Sequence, residues 1–196
     1  HDALVATVAP TLPDGSDAGE ITLEDFFSSP EAWAGVTFTL DDGTVIDEPQ
    51  ILDDVLAGQA TAGDDVILGT RRGEALTPGT GDDIVDPGEG PDVIAYARGD
   101  GDDVLLAPSF GSELVIALTG IAPDAVGILR HGDDLIVTIA ESAPGAEDGG
   151  SLRINLGFPE DGRREMRLEG ITFENDGTRW DRTDIAAAWV AARIDD

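Results

Sequence analysis

Apolar residues alternate with polar ones, or run together, over 3–9, 21–27 and 36–40, which predicts three strands in the first third of the chain. Asp42-Gly43, just past the third of these, is a hairpin turn signal. Asp47 is placed to cap a short helix running through Pro49-Gln50-Ile51-Leu52 to Leu56, and Gly58 ends it. Later, apolar patterning predicts strands at 113–119, 126–130, 134–140, 151–156 and 167–174. Asp176-Gly177 signals a second turn, and Asp181 or Thr183 caps a last helix, Asp184–Arg193, with Ile185, Trp189 and Ala192 on one face. Residues 141–150, rich in Gly, Glu and Ala, read as an exposed flexible loop.

Between these patterned ends the chain repeats. Thr61–Ile67 reads T-A-G-D-D-V-I, Gly79–Val85 reads G-T-G-D-D-I-V, Gly88–Ile94 reads G-E-G-P-D-V-I and Gly99–Leu105 reads G-D-G-D-D-V-L. Gly81, Asp83 and Val85 recur nine residues on as Gly90, Asp92 and Ile94, and eighteen residues back as Gly63, Asp65 and Ile67. Gly101, Asp103 and Leu105 follow after eleven, so two residues are inserted there. A nine-residue period of the form G-x-G-x-D-x-U-x, with U apolar, is the signature of a calcium-binding parallel β-roll.

The spacing has a physical reason. Glycines admit positive φ and tight turns, which expose carbonyl oxygens beside the Asp carboxylate. Hard oxygen ligands of this kind suit Ca²⁺, which takes about six to eight of them. The apolar U residue opens a short strand and points inward. Loops eighteen apart should stack on one edge, so Thr61–Asp65, Gly79–Asp83 and Gly99–Asp103 form one edge with two inter-loop sites. The other edge carries Gly88–Asp92 and the loop Thr70–Glu74, where Arg72 stands for Gly and Glu74 for Asp; with Arg71 and Arg72 there, that edge is expected to bind weakly or not at all. Without the ion the rows of Asp repel, and the repeats should be poorly ordered.

Composition narrows the function. The 196 residues carry 41 acidic against 11 basic side chains, a net charge of −30, with 41% apolar residues. That balance argues against nucleic acid and anionic membrane surfaces as partners and favours divalent cations. No Cys is present, so disulfides contribute nothing. No apolar run reaches the length of a membrane span. The chain shows no signal-peptide pattern and opens in mid-pattern at His1-Asp2-Ala3-Leu4-Val5.

A second, longer repeat is also legible. At a shift of 131 residues Asp2 meets Asp133, Leu4 meets Leu135, Thr7 meets Thr138, Gly19 meets Gly150 and Phe27 meets Phe158. Further on, Gly35-Val36-Thr37-Phe38 meets Gly170-Ile171-Thr172-Phe173, Asp42-Gly43-Thr44 meets Asp176-Gly177-Thr178, and Ile51 meets Ile185. Residues 1–57 therefore read as the tail of a preceding module, 58–107 as the repeat array and 108–196 as a β-rich capping domain with a terminal helix. The expected fold class is all-β: a short parallel β-roll followed by that cap. A module is about 135 residues, so the chain reads as an excised piece or processed product of a longer tandem array.

These repeats resemble the RTX (repeats-in-toxin) calcium-binding proteins. Tyr96-Ala97-Arg98-Gly99-Asp100-Gly101-Asp102-Asp103 resembles the last repeat before such a roll closes. Ile121-Ala122-Pro123-Asp124, Gly132-Asp133-Asp134-Leu135, Phe173 and Asp176-Gly177-Thr178-Arg179-Trp180 resemble the haemolysin-type calcium-binding related domain that caps it. The resemblance implies type I secretion, an extracellular or cell-surface location, and folding driven by calcium outside the cell. It implies Asp65, Asp83, Asp92 and Asp103 as side-chain ligands, with Gly63, Gly79, Gly81, Gly88, Gly90, Gly99 and Gly101 shaping the loops or giving carbonyls. Ala60, Pro78, Pro87 and Arg98 depart from the family at the first glycine of their repeats, which leaves the ion count open.

Signals of catalysis are few. His1 is terminal, and His131 has no nucleophile motif near it; Ser109, Ser112, Ser142 and Ser151 lie in no elbow motif. There is no Lys, hence no phosphate-binding loop with its lysine. Trp180 and Trp189 fall at core-like positions, Trp33 in a loop, and Arg163, Arg164 and Arg167 form the one basic cluster. The reading is a non-enzymatic, secreted calcium-binding module with a structural, adhesive or surface-assembly role, its partners being calcium, neighbouring modules or further copies in a head-to-tail assembly. The alternative is the carboxy-terminal secretion and folding region of an RTX-type hydrolase whose catalytic domain lies outside this chain.

Overall fold

A computed structural model describes residues 3–8, 19–24, 35–106, 113–132, 134–155 and 168–192. Trp33, Phe27, Ser109, Ser112, Asp133, Phe158 and the arginines 163, 164 and 167 lie outside the described residues, as does the side chain of Trp189. The chain divides into two compact units, His1–Asp54 and Val55–Asp196.

In the first unit β1 (Leu4–Val8) and β2 (Gly19–Leu23) form an antiparallel hairpin in which Leu4 pairs with Leu23 and Val8 with Gly19. β3 (Thr37–Thr39) and β4 (Val45–Asp47) form another, closed at Asp42-Gly43 as the turn signal requires. There the Asp42 carboxylate accepts the Thr44 N–H at 2.8 Å. Helix α1 (Glu48–Ala57) starts where Asp47 Oδ1 accepts the Gln50 N–H at 3.1 Å, an N-cap.

The second unit is built from two sheets. The chain visits them alternately: β5 (Val66–Leu68), β7 (Ile84–Asp86) and β9 (Asp102–Leu105) enter one, and β6 (Ala75–Leu76), β8 (Pro91–Ala97) and β10 (Glu113–Thr119) enter the other. Within each sheet these strands pair in parallel. Val66 lies opposite Ile84 and Ala75 opposite Val93, an offset of eighteen; Ile84 lies opposite Val104, an offset of twenty that absorbs the insertion. After a 3₁₀ turn at Pro123–Ala125 come β11 (Val126–His131), β12 (Asp134–Ile139) and β13 (Gly150–Ile154), which extend the first sheet. β14 (Leu168–Phe173) and β15 (Arg179–Asp181) extend the second, and helix α2 (Arg182–Ala192) follows. The segments 58–107 and 108–196 thus share both sheets: β13 adds in parallel to β9, and β10 in parallel to β8. The sheets are mixed: the repeats pair in parallel and β14 adds in parallel to β10, while β11–β12, β12–β13 and β14–β15 are antiparallel, and the fold is β-rich with two helices.

The core is one apolar cluster fed by both sheets. The residues at the U positions, Ile67, Val85, Ile94 and Leu105, are all buried in it, with Leu114, Ile116, Val137, Ile154 and Phe173. Burying each such side chain is worth about 1.5–3 kcal/mol. Trp180 packs edge-on against Phe173, ring centroids 5.0 Å apart, at the cluster margin. Helix α2 begins two residues earlier than its sequence pattern suggests, because Asp181 rather than Thr183 is the cap; its Oδ1 accepts the N–H of Thr183 at 2.7 Å and of Asp184 at 3.1 Å. Residues 141–149 are largely exposed and also pinned: Asp148 Oδ1 accepts the Ser142 N–H, Glu141 accepts the Gly145 N–H, and the Asp148 carbonyl accepts the Gly99 N–H.

The two units carry the same hairpin in the same register. At a shift of 131, the pairs Leu4–Leu23 and Val8–Gly19 of β1–β2 become Leu135–Ile154 and Ile139–Gly150 of β12–β13. The helix caps also correspond: Asp47 to Gln50 in α1 matches Asp181 to Asp184 in α2.

Candidate functional site

Strand geometry puts the repeat aspartates inside. In G-x-D-x-U the Asp stands two residues before the apolar position, and residues two apart share a face of a strand. Asp83, Asp92 and Asp103 therefore turn inward with Val85, Ile94 and Leu105, and each is 1% exposed. The loops before them turn through glycine: Gly79, Gly81, Gly88, Gly90, Gly99 and Gly101 take positive φ, whereas Gly63 does not. At Gly101 a side chain is doubly excluded, since φ is +119° and a Cβ would lie 2.1 Å from the Gly81 carbonyl oxygen.

The three loops Thr61–Asp65, Gly79–Asp83 and Gly99–Asp103 stack at offsets of eighteen and twenty residues, and their carboxylates bind them in two ladders. In the inner ladder each later Asp reaches back: Asp83 Oδ1 accepts the Asp65 N–H at 2.8 Å, and Asp103 Oδ1 accepts the Asp83 N–H at 3.0 Å. In the outer ladder each earlier Asp reaches forward: Asp64 Oδ1 accepts the Asp82 N–H at 2.9 Å, and Asp82 Oδ1 accepts the Asp102 N–H at 2.9 Å. Ser151 Oγ continues it into β13 by donating to Asp102 Oδ1 at 2.8 Å. On the other edge Asp92 Oδ1 accepts the Glu74 N–H at 2.9 Å, and the Thr70 carbonyl accepts the Glu89 N–H at 2.8 Å.

The second carboxylate oxygens separate the repeats into two kinds. Asp65 Oδ2 accepts the Thr61 N–H at 2.6 Å and the Thr61 hydroxyl at 2.8 Å, so the first loop closes on itself. Nine residues on, Glu74 does the same with the N–H and hydroxyl of Thr70. The Oδ2 atoms of Asp83, Asp92 and Asp103 are buried and have no hydrogen-bond partner. Burial pushes the Asp92 carboxyl up to about 6 and the Asp103 carboxyl up to about 7, and raises Asp83; neighbouring carboxylates add to each shift.

Asp100 belongs to the same acidic group and is not marked by the repeat. It is 8% exposed, its Oδ2 accepts the Ala97 N–H at 2.6 Å, its carbonyl accepts the Gly81 N–H at 2.8 Å, and burial raises its pKa. Its sequence signal is faint, an Asp at the variable position of Gly99-Asp100-Gly101. The outer-ladder residues have a clearer one, the Asp doublets 64–65, 82–83 and 102–103, which Pro91-Asp92 lacks. Tyr96 closes the stack from within: its hydroxyl donates to the Gly101 carbonyl at 2.5 Å, and burial raises its pKa.

A buried carboxylate oxygen without a donor demands a proton or a cation. The donor set here is all oxygen, which suits a hard cation. Among the described residues no three His, Cys, Asp or Glu side chains converge to hold a metal by themselves. Among the described residues no helix is long and apolar enough to cross a membrane. A scan against protein-family models and a search of curated proteins found no match to this chain.

Proposed function

We propose that this chain is a calcium-binding module in which the alternating parallel strands form an RTX-type β-roll and Ca²⁺ between stacked loops completes the buried carboxylates. The observation that carries the reading is the set of three buried, unpartnered oxygens, Oδ2 of Asp83, Asp92 and Asp103, repeated at the same motif position. The Asp83 and Asp103 carboxylates, with carbonyls of the glycine turns, would hold ions on one edge; on the other, Asp92 faces the loop that carries Arg71 and Arg72, where binding would be weaker. Calcium bound between the stacked loops would supply positive charge to the buried carboxylates and couple binding to folding. The role is non-enzymatic: a secreted, extracellular spacer or surface-assembly element that folds where calcium is plentiful.

The test is a calcium titration of the chelated chain by far-ultraviolet circular dichroism and calorimetry, with Asp83→Ala alongside. Cooperative gain of β-signal with calcium, weakened in the variant, is the expected result. A chain equally folded in chelator, with no heat of calcium binding, overturns the reading.

A further inference from the structure

The register shared by the two hairpins shows what one of them lacks. In the second unit β13 has β12 on one side and β9 on the other; Ser151 faces Asp102 and Ile154 faces Leu105 in parallel, and the Gly101 carbonyl accepts the Ser151 N–H at 3.1 Å. In the first unit, among the described residues, β2 pairs with β1 alone.

Two further observations sit on that open edge. Leu152, which faces the core beside β9, is 1% exposed, while its counterpart Ile21 is 46% exposed. Gly150 begins β13 where a Cβ would lie 2.3 Å from both the Gly101 carbonyl oxygen and the Tyr96 hydroxyl, so the approach of β9 requires glycine. Its counterpart Gly19 begins β2 with nothing within 4 Å of a Cβ. Nothing described around Gly19 requires glycine. Both the exposed Ile21 and the glycine are explained if a strand like β9 lies there.

We propose that the open edge of β2 receives, in parallel, the closing strand of a glycine–aspartate repeat array of the kind that ends in β9. The occupant has stated chemistry: a G-D-G-D-D-V-L segment whose turn carbonyl meets Gly19 and the Glu20 N–H as Gly101 meets Gly150 and the Ser151 N–H. Main-chain pairing supplies the affinity; by the register of β13 with β9, the segment's closing Asp lies beside Ile21 and its Leu beside Leu23 on the same face. The inference rests on hairpin register and not on the calcium reading, so a calcium-insensitive chain that protects β2 leaves it standing.

The experiment extends the full chain at its amino end with a second copy of residues 58–131, since His1 corresponds to Gly132 at the 131-residue shift. Hydrogen exchange is read at the Glu20 and Thr22 amides in the original and extended chains, in saturating calcium. The expected result is protection at least roughly tenfold greater in the extended chain. Gly19→Val should remove that gain while leaving the β1–β2 hairpin of the original chain unchanged. Equal exchange in the two chains overturns the proposal. So does an added copy that stays unprotected, because residues 134–192 support the same segment in the same molecule. Protection already present in the original chain, with dimers in sedimentation, overturns it in favour of self-pairing of β2.

Discussion

The Asp103 carboxylate accepts the main-chain N–H of Asp83 at 3.0 Å through Oδ1 and leaves its Oδ2 buried without a partner. One side chain thus holds two successive loops together and also leaves a half-satisfied charge between them. Replacing it with Asn keeps the acceptor and removes the charge. Asp103→Asn should therefore raise the melting temperature in chelator, where the charge is a burden, and weaken calcium binding by roughly tenfold or more, because ligand charge sets affinity. Parallel melting curves and calcium titrations check both signs. A variant that binds calcium like the parent removes Asp103 from the ligand set.

Stability without metal should fall as pH rises. The folded-state carboxyls of Asp92 and Asp103 lie at about 6 and about 7, above the ordinary Asp value of 3.8. Between those limits the folded chain holds more protons than the unfolded one, so unfolding free energy decreases with pH. In chelator the β-structure that remains should be greater, and should melt several degrees later, near pH 5 than near pH 7.5. In calcium the ionised forms gain a partner and the slope should flatten or reverse. Melting curves across that range, with and without chelator, decide it.

Gly101 and Gly99 separate two costs. Both have positive φ, +119° and +81°, but a Cβ at Gly101 meets the Gly81 carbonyl at 2.1 Å, while Gly99 has open space. Gly99→Ala should cost about 1–2 kcal/mol, the penalty of a left-handed residue. Gly101→Ala should cost about 3 kcal/mol or more, because backbone must also move. Chemical denaturation of both in saturating calcium tests the difference.

Gln59 acts as a false strand at the open side of β5. Its Oε1 accepts the Leu68 N–H at 2.8 Å and its Nε2 donates to the Leu68 carbonyl at 3.1 Å, as a neighbouring peptide would. Beside it Val66 and Leu68 are 61% and 55% exposed, the kind of edge on which other chains add. Gln59→Leu should cost about 1 kcal/mol, speed exchange of the Leu68 amide and increase self-association. Unchanged exchange at Leu68 would show that the clasp contributes nothing.

The strands, turns and caps were legible because their causes are local. Asp42-Gly43 and Asp176-Gly177 turn through their own φ and side chains, and Asp47 and Asp181 cap helices that start one residue later. Strand positions at 113–119, 126–130 and 134–140 agree with the observed strands to within one residue. The eighteen-residue stacking was legible for the same reason, since a period-two strand after a tight turn can repeat only in phase. The first loop and the degenerate one looked different, yet Thr61–Asp65 and Thr70–Glu74 close alike.

The nine-residue period, the inward apolar position and the duplication at 131 residues follow from spacing along the chain alone. Packing alone settles which carboxylate oxygens are orphaned, that Asp100 is buried beside them, and that, among the described residues, β2 keeps open the edge that β13 fills with β9. Those outcomes depend on partners eighteen to fifty residues away, which spacing brings near but whose donors, acceptors and room are settled only when the sheets pack.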